Sequence, residues 1–301
     1  MYSLVNKIKP ITVVDSIMGS GKTNWAIQYI NESPLNKKFI FITPYLTEIQ
    51  RILESTNKDF VEPLEKGGKM NNLKKLIVNG ENIACTHNLL ERCDNELIQL
   101  LEAENYTLIL DEVINVINEV EKSKDDIQIL LNSVDEEGNP TISVNKDGEV
   151  TWNNPLYKNG GYEVIRNLAN SGNLILFEER KMYWLFPTEL FKAFDEVYIL
   201  TYMFEGQIQC YYYELFNLKC TYQSVGGDSQ QGYFLTDYIS NKNEGRQHLK
   251  DLITIHYSTP RDKNDLNKIG DKHNSFSKSY LDEHLKNRNY KAMIKNHGRN
   301  F

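Results

Sequence analysis

Short apolar runs alternate with amphipathic segments along much of the chain. Runs rich in β-branched and other apolar residues are typical of buried strands. Segments such as NWAIQYINES and TEIQRILEST instead space their apolar residues as a helix does. Strands buried on both sides, alternating with helices, indicate an α/β fold with a parallel sheet covered by helices on both faces. The predicted strands are ITVVDS (11–16), KFIFITP (38–44), ENIACT (81–86), YTLILDE (106–112) and VYILTY (197–202).

Two regions depart from this alternation. More than eighty residues separate Asp111 from the strand near 197, where one helix and a loop need about thirty. TISVNKDGEVTWN alternates around Asp147-Gly148 and predicts a hairpin, so we interpret about 125–192 as an insertion. The aromatic runs QIQCYYYELF and YFLTDYI are strand-like. We therefore predict a first lobe at 1–206 and an incomplete second domain at 207–301.

Charge is unevenly distributed. The chain of 301 residues has a net charge of −7, yet residues 261–301 hold ten Lys and Arg against five Asp and Glu. This basic part fits either an ordinary solvated surface or a contact for phosphate backbones.

No apolar run is long enough for a membrane span, the N-terminus lacks the core of a signal peptide, and the four cysteines form no CxxC pair. These features predict a cytoplasmic protein.

A glycine-rich turn follows the first predicted strand and precedes a predicted helix. The segment SIMGSGKT (16–23) has the pattern of a phosphate-binding loop, except that Ser16 replaces the first glycine of GxxxxGK[ST]. Glycines let backbone N–H groups turn towards phosphate, and the helix adds its positive N-terminal end. We expect Lys22 to neutralise the β- and γ-phosphates of ATP and the Thr23 hydroxyl to bind Mg²⁺. The predicted nucleotide-binding residues are Gly19, Ser20, Gly21, Lys22 and Thr23.

An acidic pair follows the fourth predicted strand. Ligands of open α/β sheets bind where such strands end. We expect Asp111 to hold Mg²⁺ and Glu112 to orient or deprotonate the attacking water, which makes Glu112 and Lys22 the predicted catalytic residues. An acidic pair after a strand is also common as a plain helix cap. Together with the glycine-rich loop, the pair favours hydrolysis.

The order of the shorter motifs resembles that of a known enzyme family. GSGKT is followed by FITPY, IACTHNLL, LILDEV and ILTY. This order resembles the first RecA-like lobe of superfamily-two DEAD/DEAH-type helicases, and more closely a helicase-related family of phages and prophages of Gram-positive bacteria. The resemblance covers residues 11 to about 205. It implies an ATP-binding, helicase-like NTPase that acts on nucleic acid in a bacterial or phage-infected cell.

The resemblance also implies roles for residues outside the loop. Thr43 and Pro44, with Thr86 and His87, stand where the family touches the nucleic-acid backbone. Thr43-Pro44 could equally be a strand end and Thr86 a helix cap. Thr201 stands where an S/T-A-T motif couples hydrolysis to strand binding, although the sequence here is T-Y-M. The implied partners are single-stranded or duplex nucleic acid, DNA rather than RNA, with replication-type proteins as candidates and no membrane.

The second lobe of such enzymes supplies an arginine to the transition state, an effect often worth about 10³ or more in rate in related NTPases. About 95 residues follow the first lobe, and neither a Q/S-x-x-x-R nor a GRxxR element occurs among them. We therefore expect either a truncated reading frame or a second lobe that lies elsewhere. The chain alone should hydrolyse ATP slowly and should not unwind a duplex.

Two other functional classes remain open. The first is a P-loop nucleoside or nucleotide kinase, which places phosphate-closing arginines soon after the loop and in some cases a cysteine cluster. Arginine is sparse here and the cysteines are scattered. The second is a non-catalytic nucleotide-binding module. The response of ATP hydrolysis to nucleosides and to nucleic acid separates these classes.

Overall fold

The computed structural model describes residues 11–238 and residue 240, all of them in the first of two compact units, residues 1–244. No helix in this part of the chain is long and apolar enough to cross a membrane. The helices are α1 Lys22–Glu32, α2 Leu46–Ser55, α3 Lys69–Val78, α4 His87–Leu90, α5 Asn95–Glu104, α6 Lys124–Asn132, α7 Glu163–Asn170, α8 Thr188–Lys192 and α9 Ile208–Leu215. The strands are β1 Ile11–Asp15, β2 Lys38–Thr43, β3 Phe60–Val61, β4 Asn82–Thr86, β5 Tyr106–Asp111, β6 Ile117–Val120, β7 Ile142–Val144, β8 Val150–Trp152, β9 Leu174–Phe177, β10 Lys181–Leu185, β11 Glu196–Thr201, β12 Cys220–Asp228 and β13 Gly232–Asp237.

An eight-stranded sheet with the order β13-β12-β1-β11-β5-β2-β4-β3 forms the centre of this unit. Neighbouring strands are parallel except for the antiparallel pair β12 and β13. β5 is buried at every position, as expected for a central strand with both faces covered. Because the strands are parallel, the loops that follow β1, β11, β5 and β2 emerge at one edge of the sheet.

Helices cover both faces of this sheet. Ile40 and Ile42 of β2 point to a core that includes side chains of α3 and α5. Phe39 and Phe41 of the same strand point to a second core that includes side chains of α1 and α2. This alternation along one strand puts the two cores on opposite sides. The predicted α/β class, with a mostly parallel sheet between helices, is confirmed.

Residues 117–185 form a separate small unit between β5 and β11. It contains an antiparallel sheet with the order β6-β10-β9, the hairpin β7–β8, and the helices α6 and α7. The hairpin predicted around Asp147-Gly148 is confirmed by the antiparallel pairing of β7 with β8. Ile127, Trp152 and Met182 belong to a core of its own. This unit lies at about the position predicted for the insertion, 125–192, but its first strand begins at Ile117.

The segment after residue 207 does not begin a new sheet, and the domain boundary predicted there is wrong for the residues that the structure describes. β12 pairs in parallel with β1, so β12 and β13 extend the first sheet by two strands. QIQCYYYELF, which was expected to be a strand, forms α9 instead. The remainder of the predicted second domain, including the basic part at 261–301, lies outside the described residues.

Candidate nucleotide-binding site

Three neighbouring strands bring the predicted site residues to one edge of the sheet. β11 lies between β1 and β5. The strand register pairs Asp15 with Thr201, and Leu200 with Asp111. The glycine-rich loop that follows β1 therefore lies beside the ends of the strands that carry Thr201 and Asp111. The predicted phosphate loop and the predicted acidic pair meet at the same place.

The conformation of the loop explains both its glycines and the departure from the usual motif. Gly19 has a φ of +79° and Gly21 a φ of +91°, which favour glycine over any residue with a Cβ. Ser16 has no such left-handed backbone, so this position does not require glycine. Its hydroxyl instead accepts the N–H of Val225 on β12 at 2.8 Å. The serine in the motif therefore ties the loop to the adjacent strand.

The loop also offers donors for an anion. Lys22 Nζ donates to the carbonyl oxygens of Ser16, at 2.8 Å, and Ile17, at 3.3 Å, so the ammonium group lies against the loop. No side chain caps the N-terminus of α1 at Gly21, and the first amides of a helix have no acceptor within it. Ser20 Oγ is the one buried side-chain oxygen or nitrogen without a hydrogen-bond partner in the described part of the chain. These features fit a bound phosphate group.

Asp111 is buried at the end of β5, with 8% of its surface exposed. Burial raises the pKa of its carboxyl to about 6, and the negative charges of Glu112 and Glu48 add to this rise. A hydrogen bond from Thr43 Oγ1 to Asp111 Oδ2, at 3.1 Å, and the positive charge of Lys22 lower it again. The positive charge of the loop lysine therefore favours the ionised form of this carboxyl. A carboxyl that is costly to ionise here is suited to binding a cation.

Glu112 leaves β5 in a strained conformation. Its φ of +71° is unusual for a non-glycine residue and costs about 1 kcal/mol or more. Its N–H donates to the carbonyl of Leu200 at 2.9 Å, and its Oε2 accepts the hydroxyl of Thr201 at 3.3 Å. The carbonyl of Thr201 in turn accepts the N–H of Ser16 at 3.1 Å. Thr201, which is fully buried, therefore connects the phosphate loop with the Glu112 carboxylate.

The residues predicted to contact nucleic acid lie in different environments. Thr43 has no exposed surface and its hydroxyl donates to Asp111, so its side chain faces the acidic pair and not the surface. Pro44 is exposed, and Thr86 is half-buried at the start of α4, where its side chain makes no capping bond. His87 Nε2 lies 3.1 Å from the carbonyl oxygen of Asp111, and burial lowers the pKa of its imidazole. A neutral His87 with its hydrogen on Nε2 donates to this carbonyl and so holds the end of β5 in place.

Asp15 was not recognised as a site residue from the sequence. It is buried at the end of β1, and its carboxylate accepts the N–H groups of Met203, at 2.8 Å, and Phe204, at 3.0 Å. Tyr238 also donates its hydroxyl to this carboxylate at 3.3 Å. Asp15 therefore fixes the turn that follows Thr201. The available signal was an acidic residue at the end of an apolar strand, directly before the glycine-rich loop.

Comparisons with known proteins give the family. Residues 117–184 match the YonV middle domain. The SPbeta prophage-derived protein YonV of Bacillus subtilis strain 168 is 37% identical over 287 residues, which cover 91% of this chain and 67% of YonV. The chain belongs to the YonV family. The match extends far beyond the middle domain, since it covers 91% of this chain.

Two solved structures show a distant similarity to this YonV-family chain. The apo form of XPD has a TM-score of 0.38 and 15% identity, with 71% of this chain and 54% of that chain covered. The DUF1998 helicase MrfA bound to DNA and AMPPNP has a TM-score of 0.31 and 13% identity, with 79% of this chain and 28% of that chain covered. The chain thus spans about half of one structure and less than a third of the other.

The YonV middle domain coincides with the small unit inserted between β5 and β11. A cleft of about 690 Å³ lies between this unit and α4, the helix that begins at His87. Its lining includes Asn88 and Arg92 from the α4 side and Glu119, Lys122 and Trp184 from the inserted unit. Charges of both signs line the cleft. The family-specific part of the chain therefore adjoins a motif that the helicase resemblance identified.

Asp111→Asn is expected to stabilise this YonV-family chain at neutral pH. Because the pKa is raised from 3.8 to about 6 on folding, the carboxyl favours the folded state when protonated. That contribution is fully present below pH 3.8 and is lost as pH rises through about 6. Asparagine carries no charge, so at pH 7.5 the variant should gain about 2 kcal/mol in free energy of unfolding. Denaturant unfolding in EDTA, without nucleotide, measures this difference.

The gain should shrink from pH 7 towards pH 4 and vanish below it. Asp135→Asn is a suitable control because hydrogen bonds from Asn139 and the N–H groups of the same turn lower the pKa of that exposed carboxyl. The Asp135→Asn variant should therefore be as stable as wild type or less stable at pH 7.5. Any loss of stability should be smallest at low pH. A loss of stability in Asp111→Asn at pH 7.5 would contradict the prediction.

Proposed function

We propose that this YonV-family chain binds ATP and Mg²⁺ at the edge of its sheet and hydrolyses ATP as a helicase-like NTPase acting on nucleic acid in a bacterial cytoplasm. One observation carries the proposal. The ends of β1, β11 and β5 gather Lys22, Asp111 and the pair Thr201–Glu112, and the charge of Lys22 acts on the Asp111 carboxyl. A lysine, a buried carboxyl and a second carboxylate around a glycine-rich loop are the groups that triphosphate hydrolysis requires.

The loop residues bind the phosphates in this proposal. Backbone amides of residues 19–23 donate to phosphate oxygens, and Ser20 Oγ, buried without a partner among the described residues, gains one. Lys22 Nζ moves from its two carbonyl acceptors to the β- and γ-phosphates. Thr23 and Asp111 would hold Mg²⁺, and the hydroxyl of Thr43 fixes the orientation of the Asp111 carboxylate. When bound, Mg²⁺ supplies positive charge that offsets the charge on the phosphate oxygens.

Glu112 acts on the attacking water. Its carboxylate accepts a proton while the water oxygen forms a bond to the γ-phosphorus. The bond between that phosphorus and the bridging oxygen to the β-phosphorus breaks, so ADP and phosphate are the products. The Thr201 hydroxyl holds Glu112 in position, and the Thr201 carbonyl accepts from Ser16 in the loop. The same residue therefore links hydrolysis to the turn that follows β11.

Nucleic acid is the proposed partner because the order of motifs resembles a helicase lobe. Pro44 and Thr86 remain the candidate contacts, since Pro44 is exposed and Thr86 is half-buried at the start of α4. Pro44 follows β2 and Thr86 ends β4, so both lie at the edge of the sheet that carries the phosphate loop. A nucleic-acid strand that runs from there along this edge past β5 would reach the turn after Thr201. The proposed coupling runs from that turn to Glu112.

ATP hydrolysis by the full chain tests this function. We expect slow release of phosphate from ATP and Mg²⁺ alone, and an increase of severalfold when single-stranded DNA is added. Duplex DNA, RNA and a mixture of nucleosides are assayed at the same concentrations. EDTA is expected to abolish the release.

The alternatives give different results in the same assay. Conversion of a nucleoside into its monophosphate, without an effect of polynucleotides, would identify a kinase and reject the proposal. Binding of ATP without any turnover, with or without nucleic acid, would leave a nucleotide-binding module. Equal rates with and without all nucleic acids would reject the proposed partner while keeping the ATPase.

A further inference from the structure

The hairpin β12–β13 brings an aromatic ring against the phosphate loop. A Cβ atom added at Gly21 would lie only 2.2 Å from Cε1 of Tyr233 on β13. The ring therefore covers the last glycine before Lys22. The neighbouring Phe234 is 51% exposed, whereas Tyr233 is half-buried. Tyr233 is thus the aromatic residue of this strand that faces the proposed nucleotide site.

Hydrogen bonds to α1 hold Tyr233 in this place. Asn24 Nδ2 donates to the Tyr233 hydroxyl at 3.0 Å, and the Tyr233 N–H donates to Gln28 Oε1 at 2.8 Å. Gly21, Asn24 and Gln28 follow one another at helical spacing, so they form one stripe on the side of α1. Asn24 also accepts a hydrogen bond from Arg51 of α2. The ring is attached to the first turns of α1, directly beside the residues that are proposed to bind phosphate.

The order of the sheet gives the direction in which a bound nucleotide would extend. β5, which carries Asp111 and Glu112, lies on one side of β1, with β11 between them. β12 and β13 lie on the other side of β1. If the terminal phosphate faces Asp111 and Glu112, the nucleoside must leave the loop in the opposite direction. That direction leads to Tyr233.

We propose that Tyr233 contacts the nucleoside of the bound triphosphate and stacks on its base. This inference rests on the proposed ATP site and adds the residue that distinguishes a nucleotide from a bare polyphosphate. An aromatic ring recognises the face of a base and not its edge. The ligand class is therefore nucleoside triphosphates, because every base presents a face on which a ring can stack. The tyrosine hydroxyl, bonded to Asn24, positions the ring.

Binding of two ligands by the full chain tests this role. Isothermal titration with Mg²⁺ compares ATP with inorganic tripolyphosphate, which has the phosphates but no base. Wild type should bind ATP more tightly than tripolyphosphate. Tyr233→Ala should weaken the binding of ATP at least about fivefold, which is the lower end of what stacking of a base contributes. The affinity for tripolyphosphate should change by less than about twofold. Tyr233→Phe, which keeps the ring, should stay close to wild type with both ligands.

Phe234→Ala is the matched control because it removes an exposed ring from the same strand. It should leave the binding of both ligands unchanged. Equal weakening of ATP and tripolyphosphate in Tyr233→Ala would mean that Tyr233 only shapes the loop and would overturn the inference. Equal loss in Tyr233→Phe and Tyr233→Ala would assign the effect to the hydroxyl and would overturn it as well. Failure of wild type to bind either ligand would instead reject the proposed function.

Discussion

Lys22→Ala is expected to lower the affinity for ATP by about 100-fold and to abolish hydrolysis. The ammonium group lies against the loop, bonded to the carbonyls of Ser16 and Ile17, where it can reach a bound phosphate. Hydrogen bonds to charged groups contribute about 1.5–3 kcal/mol, and alanine removes at least one of them from the phosphates. It also removes a charge that favours ionisation of Asp111. Titration with ATP and Mg²⁺ measures the affinity.

Lys38→Ala provides the control for this substitution. Lys38 is the first residue of β2, so it lies at the opposite edge of the parallel sheet, where it pairs with Glu104 at 2.6 Å. Its substitution removes the same charge from the chain and should leave ATP binding within about twofold of wild type, because this half-buried pair lies at the edge of the sheet opposite the phosphate loop. Thermal unfolding of both variants checks that they fold. Unchanged affinity in a folded Lys22→Ala would reject the phosphate loop.

The fold class could be predicted because buried parallel strands leave a continuous apolar signal. The predicted strands at 11–16, 38–44, 81–86, 106–112 and 197–202 correspond to β1, β2, β4, β5 and β11. β5, for example, is apolar along most of its length and fully buried. The Asp147-Gly148 turn was equally clear because Gly148, with a φ of +83°, supplies the left-handed residue that a tight hairpin turn favours. In these places local sequence and tertiary structure favour the same conformation.

The segment after β11 could not be predicted in the same way. Three consecutive tyrosines in IQCYYYEL favour a strand by intrinsic preference. The buried positions of α9 are Gln209, Cys210, Tyr212 and Tyr213, which is the spacing of one helix face. Burial against the sheet therefore prevailed over the local preference. The parallel pairing of β12 with β1 joins residues about 209 positions apart, and no local pattern encodes it.

The candidate site also combines features that the sequence predicted with contacts that only the fold shows. The motifs predicted that Lys22, Asp111 and Glu112 meet at one edge of the sheet, and the structure places all three there, since the ends of neighbouring parallel strands lie together. The motifs did not indicate that the hydroxyl of Thr43 donates to Asp111. Nor did they give Tyr233, since its contact with Gly21 depends on the position of β13 in the sheet. The motifs therefore predicted which residues lie together, and only the fold gave their further neighbours.

Glu112→Gln is expected to keep ATP binding within about threefold and to lower turnover by about 100-fold or more. Glutamine retains the shape of the side chain and can still accept the Thr201 hydroxyl, but it cannot take a proton from water. General-base catalysis typically contributes about 10²–10⁴ in rate. Lys22→Ala acts on binding, whereas this variant should separate binding from chemistry. Single-turnover hydrolysis with saturating ATP, measured beside titration calorimetry, resolves the two quantities.

Glu104→Gln is the matched control because it makes the same chemical change at the opposite edge of the sheet, in the pair with Lys38. It should hydrolyse ATP at the wild-type rate. Turnover by Glu112→Gln equal to wild type would show that this carboxylate is not the base. A parallel fall in binding and turnover would instead mean that Glu112 holds the architecture of the loop through Thr201 and Ser16. A selective loss of turnover would mean that the positive-φ backbone at Glu112 serves catalysis. This backbone conformation directs the carboxylate towards β11 and the adjoining loop.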